Sequence, residues 1–274
     1  MVTPSPSFEI LRPAGKRISP LVFASPHSGD IYPADMDASA SAASVRSAED
    51  VAVDRLAASG PSAGAVLIRG RIGRAYIDLN RAPDDLDPAL IVDCPAVAPG
   101  AKTLAGYGVA PRLAGDGTPL YARRLTMAEV EARLAAVHGP YHAAMAGLMD
   151  EAAARFGRAV LVDWHSMPAR AAGPGGADVV LGDRHGSSCR PSLTRRLRAL
   201  FEGQGLRVAL NHPYAGGYAT QRWGRPEEGC EAIQIELNRK LYWDERAGGP
   251  SAGWTRCQSA VERVIRGLGA DFSD

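Results

Sequence analysis

Cysteine is scarce in this chain, and its four cysteines lie far apart, at Cys94, Cys189, Cys230 and Cys257. No two of them form a Cys-x-x-Cys pair. Dispersed cysteines of this kind are typical of free thiols in a reducing compartment. We therefore expect a cytoplasmic protein of metabolic type.

The chain also has no large excess of positive or negative charge. The 274 residues include 31 Lys and Arg against 30 Asp and Glu, so nothing favours nucleic acid or an anionic membrane as a partner. No apolar run is long enough to span a bilayer, and segment 1–6 lacks the basic start and apolar stretch of a signal peptide. The glycine cluster at 173–176 lacks a phosphate-loop pattern, so no nucleotide site is expected.

Short apolar runs alternate with helical patterns along the chain. Strands are predicted at 20–25, 65–68, 75–79, 159–162, 178–181, 206–210 and 231–237. Helices are predicted from Ser47 to about residue 59, from the capping box at Thr126 to Phe156, and over 191–201 and 255–268. Segment 82–124 has no sustained period and is predicted to be a lid or binding loop. The alternation predicts one α/β domain over residues 1–274, with a mixed, mostly parallel sheet and helices on both faces.

Polar motifs follow several of these strands, where an α/β sheet delivers side chains into a shared crevice. His27 and Asp30 lie on a Ser-Gly turn after the first strand, and His165 follows a later one. Zinc in a hydrolase takes three protein ligands from His and carboxylates and leaves one position for water. We therefore predict a metal site from His27, His165 and a carboxylate. Asp50 rivals Asp30 as that carboxylate, since Asp30 could cap the turn.

Glu236 lies among apolar neighbours at the end of the strand 231–237. A carboxylate there is costly unless it pairs or does chemistry. We predict that it acts as the general base on an attacking water. The alternative is a structural ion pair with Arg239 or Lys240.

Substrate-binding candidates surround these groups. Arg81 presents a planar fork suited to a carboxylate, and Asn80 could hold a neighbouring polar atom, with Asp78 orienting Arg81. Arg222 in a glycine-bracketed loop is a second anion candidate, and His185 is predicted to line the pocket. His138 and His142 are four apart but lack the HExxH glutamate. His142 remains a candidate for contacting and supporting the residues that bind the metal or the substrate.

The ordered motifs PHSGD, YIDLNR, VDWHS, LGDRHG, NHPYAGGY, RWG and IQIELNR, spread over about residues 25–242, resemble those of the N-formylglutamate amidohydrolase family. That family is related to the zinc carboxypeptidases and acyl-amino-acid hydrolases. The resemblance implies a zinc-carboxypeptidase-like fold, His27 and His165 as the histidine ligands, Asn80 and Arg81 as the substrate clamp, and Glu236 as the base. Relatives carry Glu where this chain has Asp30, which keeps Asp50 in contention.

These observations predict a zinc-dependent amidohydrolase that converts an N-formyl or similar N-acyl amino acid, foremost N-formyl-L-glutamate, to formate and the amino acid. The resemblance implies a role in histidine degradation. The metal could also be another divalent ion, and the oligomeric state is left open. Two alternatives remain: a carboxypeptidase-type zinc peptidase, and a non-catalytic protein that binds small anions.

Overall fold

The protein is built on a mixed seven-stranded β-sheet. In a computed structural model, which describes residues 7–15, 17–96, 98–173 and 176–272, the strands are β1 (Phe8–Leu11), β2 (Leu21–Ser25), β3 (Val66–Gly70), β4 (Ala159–Met167), β5 (Val179–Gly182), β6 (Val208–Leu210), β7 (Cys230–Asn238), β8 (Trp243–Asp244) and β9 (Gly249–Pro250). The sheet has the order β1-β3-β2-β4-β7-β5-β6, and β8 and β9 form a separate pair. Strands β2, β4 and β7 are parallel, β5 is antiparallel to β7, and β6 is parallel to β5. The predicted α/β class with a mixed, mostly parallel sheet is confirmed.

Eight α-helices lie within the part of the chain that the structure describes. They are α1 (Ala42–Arg46), α2 (Val53–Leu56), α3 (Ala101–Leu104), α4 (Met127–Arg133), α5 (Gly139–Phe156), α6 (Pro191–Glu202), α7 (Tyr218–Trp223) and α8 (Trp254–Ala270). The helices predicted at 191–201 and 255–268 correspond to α6 and α8. None of the helices in the described ranges is both long enough and apolar enough to cross a membrane.

The described residues form two compact units. The first unit comprises the described residues up to Glu9 together with Pro26–Glu49 and Arg69–Met145. The second unit comprises Ile10–Ser25, Asp50–Ile68 and the described residues from Ala146 onward. Strands β2, β4, β5, β6 and β7 lie wholly in the second unit. The single domain over residues 1–274 stays a prediction. Segment 1–6 and residues 174 and 175 of the glycine cluster lie outside the described residues.

The core of the second unit lies on one face of the central strands. Successive side chains of a strand point to opposite faces. Strand β4 places Val160, Val162 and Trp164 in the core, and β7 places Ile233, Ile235 and Leu237 there. Helices α6 and α8 supply further core residues, including Leu197 and Phe201 from α6 and Val261 and Ile265 from α8. The intervening residues of β4 and β7 therefore lie on the opposite face, where both strands carry polar side chains.

The long helical pattern from Thr126 is confirmed, with a local change in its middle. The Thr126 side chain accepts from the backbone N–H of Glu129, and the Glu129 carboxylate accepts from the N–H of Thr126, which completes the capping box. Between α4 and α5, residues Leu134–His138 form a π-helical segment directly before Gly139-Pro140. Pro140 has no N–H to donate, which disturbs the α-helical ladder at this point. Gly157, with φ +68°, ends the helix.

Three sequence predictions of local structure are wrong. Segment 75–79 consists of turns and irregular backbone, because the N–H of Tyr76 donates to Gly73 and that of Asp78 to Val109 instead of to a neighbouring strand. No helix begins at Ser47. Helix α1 ends before it, and α2 begins after Ala52, whose φ of +58° interrupts a continuous helix. Strand β4 runs five residues beyond the predicted 159–162, so His165 lies within the strand.

The two-face arrangement predicts a large stability loss from truncating a core residue of β7. Ile235 is completely buried, so we expect Ile235→Ala to lower the free energy of unfolding by about 2–5 kcal/mol through lost contacts and a cavity. Leu210→Ala is the matched control, because Leu210 is 40% exposed at the sheet edge and its truncation should cost less than about 0.5 kcal/mol. Urea unfolding followed by circular dichroism measures both. Equal losses in the two variants would contradict the assignment of the core face.

Candidate active site

His27 lies in the first unit, two residues after the end of β2. Its Nε2 is 2.6 Å from Oδ1 of Asp78, and both side chains are buried. The turn that carries His27 packs closely on the segment after β3, because a Cβ on Gly29 would come within 2.5 Å of the carbonyl carbon of Arg71. Ile31 and Ile72 form a bridge beside this contact. Only glycine allows this approach, so the Ser-Gly turn sets the position of the imidazole.

Asp78 holds His27 by charge as well as by geometry. Oδ2 of Asp78 accepts from Arg74 at 2.7 Å, and Oδ1 also accepts from the N–H of Asn80 at 2.8 Å. Burial opposes ionisation of this carboxyl group, but the positive charge of Arg74 and the contact with His27 hold its pKa well below the usual value. A carboxylate accepts, so Nε2 of His27 carries the hydrogen. The side-chain hydrogen bonds of Asp78 run to His27, Arg74 and Asn80, and its backbone carbonyl accepts from the N–H of Arg81, so its use to orient Arg81 stays a prediction.

The segment that carries Asn80 and Arg81 is held by two histidines of the long helical region. Nε2 of His142 donates to the carbonyl of Leu79, and Nε2 of His138 donates to the carbonyl of Arg81, each at 2.9 Å. The bond to Leu79 is made by the end of segment 75–79, which was predicted to pair with a strand. Asn80 is buried, and Nε of Arg81 is a buried donor with no hydrogen-bond partner in the described residues.

His165 lies in the second unit, on the polar face of β4. Its Nδ1 is 2.8 Å from Oδ2 of Asp50, and its Nε2 is 2.8 Å from Oδ2 of Asp163. All three side chains are buried. Burial works against a charged imidazole, but the charges of Asp163 and Asp50 outweigh it and raise the pKa of His165 well above its usual value.

The two carboxylates proposed as metal ligands differ in surroundings. Asp50 is buried, contacts His165, and accepts from Nη2 of Arg239 at 3.3 Å. Nε of Arg239 donates to Oγ of Ser166 at 3.0 Å, so this guanidinium ties Asp50 to the end of β4. Asp30 is exposed in the first unit. Sequence reasoning missed the roles of Asp163 and Arg239 beside these groups. Asp163 is two residues before His165 on a strand, a spacing that puts both on one face.

Glu236 lies beside His165 on the polar face. In the parallel pairing of β4 and β7, His165 is the register partner of Glu236, and Asp163 is the partner of Gln234. Glu236 is 6% exposed, and its Oε1 accepts from Nε2 of Gln234 at 2.8 Å. The second unit therefore combines a buried imidazole with two carboxylates on its nitrogens and a third carboxylate on the adjacent strand.

Arg222 and His185 are both exposed. Arg222 lies in helix α7, not in a loop, and donates to the Tyr218 hydroxyl at 2.8 Å while lying over the rings of Tyr218 and Trp223. His185 has a φ of +58°, and its backbone N–H donates to Oδ1 of Asn211. Their predicted contacts with a substrate stay predictions.

A buried histidine with carboxylate partners, on the strands of a mixed α/β sheet, is an arrangement found in hydrolytic enzymes. The sequence model of the N-formylglutamate amidohydrolase family matches residues 19–243, which include every candidate residue described above. The chain belongs to this family, and the resemblance of its ordered motifs is confirmed.

Individual relatives agree with this assignment. The chain is 32% identical to an N-formylglutamate deformylase of Pseudomonas aeruginosa over 91% of each chain, and 32% identical to one of Pseudomonas putida over 66% of each. The crystal structure of an N-formylglutamate amidohydrolase from Ralstonia eutropha has a TM-score of 0.92 at 36% identity, covering 97% of this chain and 98% of that one. A protein from Agrobacterium tumefaciens shares the fold, with a TM-score of 0.65 at 21% identity over 97% of this chain and 95% of that one.

Proposed function

We propose that this protein hydrolyses the amide bond of N-formyl-L-glutamate and releases formate and L-glutamate. The observation that carries this proposal is the match to relatives named for that reaction over about nine-tenths of both chains. The candidate residues from His27 to Arg239 lie inside the region that the family model matches. Formate release from N-formylglutamate, compared with N-acetylglutamate and glutamyl peptides, tests the reaction and separates it from peptidase activity.

We further propose that a divalent metal ion, foremost zinc, is held by His27, Asp50 and His165. Imidazole nitrogens and carboxylate oxygens are the ligand types that zinc takes in hydrolases. Each histidine has a carboxylate on Nε2, Asp78 for His27 and Asp163 for His165, so each would bind through Nδ1. A carboxylate behind a metal-binding histidine is the usual supporting arrangement. We favour Asp50 over Asp30 because Asp50 is buried and already lies on Nδ1 of His165.

In this proposal the side chains divide the chemistry among them. When bound by these residues, zinc would act as a Lewis acid and would lower the pKa of a water bound to it. Glu236 takes a proton from the water that attacks the formyl carbon, and returns it to the nitrogen as the carbon–nitrogen bond breaks. Arg81 binds a substrate carboxylate and Asn80 a neighbouring polar atom, with Arg222 and His185 as further contacts.

We also propose that the protein acts in the cytoplasm on a small N-acyl amino acid. The four cysteines support this location, because all of them are free thiols in the structure. The near balance of acidic and basic residues gives no reason to expect nucleic acid as a partner.

The metal assignment predicts one zinc-class ion per chain in the purified protein. His27→Ala, Asp50→Ala and His165→Ala should each lose most of this metal, because a site with three protein ligands binds metal much more weakly when one of them is removed. Asp30→Ala is the matched control and should retain it. Elemental analysis checks all four variants. Full metal in both histidine variants would show that the ligands are wrong, and metal loss in Asp30→Ala alone would move the carboxylate assignment to Asp30.

The base assignment predicts a large kinetic effect at Glu236. Glu236→Gln keeps the shape of the side chain but cannot accept the proton, so kcat should fall by roughly 10²–10⁴-fold with the metal content unchanged. Formate release under saturating N-formylglutamate measures this loss. Turnover close to that of the wild type would contradict the mechanism.

The clamp assignment predicts a graded loss at Arg81. Arg81→Lys keeps the charge but loses the planar fork, and Arg81→Ala loses both, so kcat/KM should fall in the order wild type, Lys, Ala. The loss of kcat/KM should be smaller for a substrate analogue whose carboxylate is capped as an amide, because the group that Arg81 would bind is then absent for the wild type and for both variants. An equal penalty on both substrates would instead assign Arg81 to the fold and make Arg222 the leading clamp.

A further inference from the structure

Gln234 lies two residues before Glu236 on β7, on the same face of the strand. Its Nε2 donates to Oε1 of Glu236 at 2.8 Å, and both side chains are buried. A hydrogen bond to an ionised acceptor in a buried site is stronger than one between neutral groups, and it restrains the acceptor's rotation. Gln234 is therefore placed to hold the carboxylate of Glu236 in one orientation.

The amide of Gln234 is itself held in one orientation by the start of α7. The backbone N–H of Gly217, the residue before α7, donates to Oε1 of Gln234 at 2.8 Å. Since Oε1 accepts this hydrogen, the opposite atom of the amide must be the NH₂ group, which can only donate. The direction of donation from Gln234 to Glu236 is thus determined by the backbone of Gly217.

Two glycines allow that backbone to come so close. Gly182 is the register partner of Gln234 on β5, and a Cβ there would come within 2.6 Å of the backbone nitrogen of Gly216. Gly216 has a φ of +116°, a conformation that side chains other than glycine rarely adopt. The close approach of Gly217 to Gln234 therefore depends on glycine at positions 182 and 216.

The same arrangement occurs on the neighbouring strand. On β4, Asp163 is two residues before His165 and contacts its Nε2 at 2.8 Å, and Asp163 is the register partner of Gln234. Each strand thus carries one polar side chain that holds a residue of the proposed site two positions further along the strand. The difference lies in the chemistry, because an imidazole N–H requires an acceptor whereas a carboxylate requires a donor.

We propose that Gln234 is a positioning residue that orients the carboxylate of Glu236 for proton transfer. This inference rests on the proposed amide hydrolysis, in which Glu236 is the base. Loss of the donor should lower kcat by roughly 10- to 100-fold, the equivalent of one hydrogen bond to a charged group. Substrate binding does not use this bond, so KM should change by no more than about threefold.

The test is a double-mutant cycle with formate release as the assay. Gln234→Met keeps the length of the side chain but removes the amide, and we expect the kcat loss in the wild-type background and almost none in the Glu236→Gln background. A purely structural role would lower kcat by the same factor in both backgrounds, and that result would overturn the inference. Metal content and the thermal midpoint are measured for each variant, so that unfolding is recognised separately.

Gln234→Glu separates donation to Glu236 from anchoring of α7. An ionised glutamate can still accept from Gly217 but cannot donate to Glu236, whereas a protonated one could donate. Because two buried carboxyl groups this close disfavour each other's ionisation, kcat is compared with that of the wild type along a pH profile. On its alkaline limb, where both groups are ionised, we expect kcat as low as in Gln234→Met or lower. Wild-type kcat on that limb would show that anchoring alone matters and would overturn the inference. Ser188→Ala is the matched control, because it removes another buried hydrogen bond to β7, from Oγ to the carbonyl of Ala232 at 2.8 Å, and should leave kcat within about twofold.

The outcomes also separate this inference from the proposed function. If Glu236→Gln itself turns over normally, the proposed base is wrong, whatever Gln234 does. If Glu236→Gln loses activity while Gln234→Met keeps the kcat and KM of the wild type, the base assignment stands and only the positioning role fails.

Discussion

Backbone pairing between β4 and β7 determines where the polar groups of the second unit meet. The two strands are parallel and in register over nine residue pairs, from Ala159 with Cys230 to Met167 with Asn238. Side chains of paired residues share a face, so one face receives the apolar residues of the core and the other receives Asp163, His165, Gln234 and Glu236. A shift of one residue would move Glu236 to the core face. The apolar packing that stabilises the sheet therefore also specifies the register on which the site depends.

Buried charge is made tolerable here by pairing. Each candidate histidine ligand has a carboxylate on Nε2, Asp78 on His27 and Asp163 on His165. Arg74 adds a positive charge beside Asp78, and Arg239 adds one beside Asp50. Removing one charged group of a pair would leave the other buried without an opposite charge. The free energy of unfolding would then fall by more than the intact pair contributes to it. The charged groups of each unit therefore stabilise one another, and the effect of substituting one depends on its partners.

Sequence reasoning succeeded where the signal was local. The capping box at Thr126, the apolar periods of α6 and α8, and the apolar runs of β2, β5 and β7 each depend on residues close in the chain. It failed at 75–79, where an apolar run has the composition of a strand but bonds to Gly73 and Val109. It also failed at Ser47, where the left-handed conformation of Ala52 separates two short helices. In both cases tertiary contacts outweighed local preference.

By itself, the sequence determined the residue types of the site, their order along the chain and the family to which the chain belongs. Those properties depend on short motifs and can be recognised without knowledge of the fold. The tertiary structure decided which groups distant in the chain meet: Asp78 on His27, Asp50 on His165, and the backbone N–H of Gly217 on Gln234. Hydrogen bonds between residues far apart in the chain depend on strand register and on close backbone approach at Gly29 and Gly182. Neither register nor approach distance is encoded in spacing along the sequence, because both arise only when the strands and loops pack together.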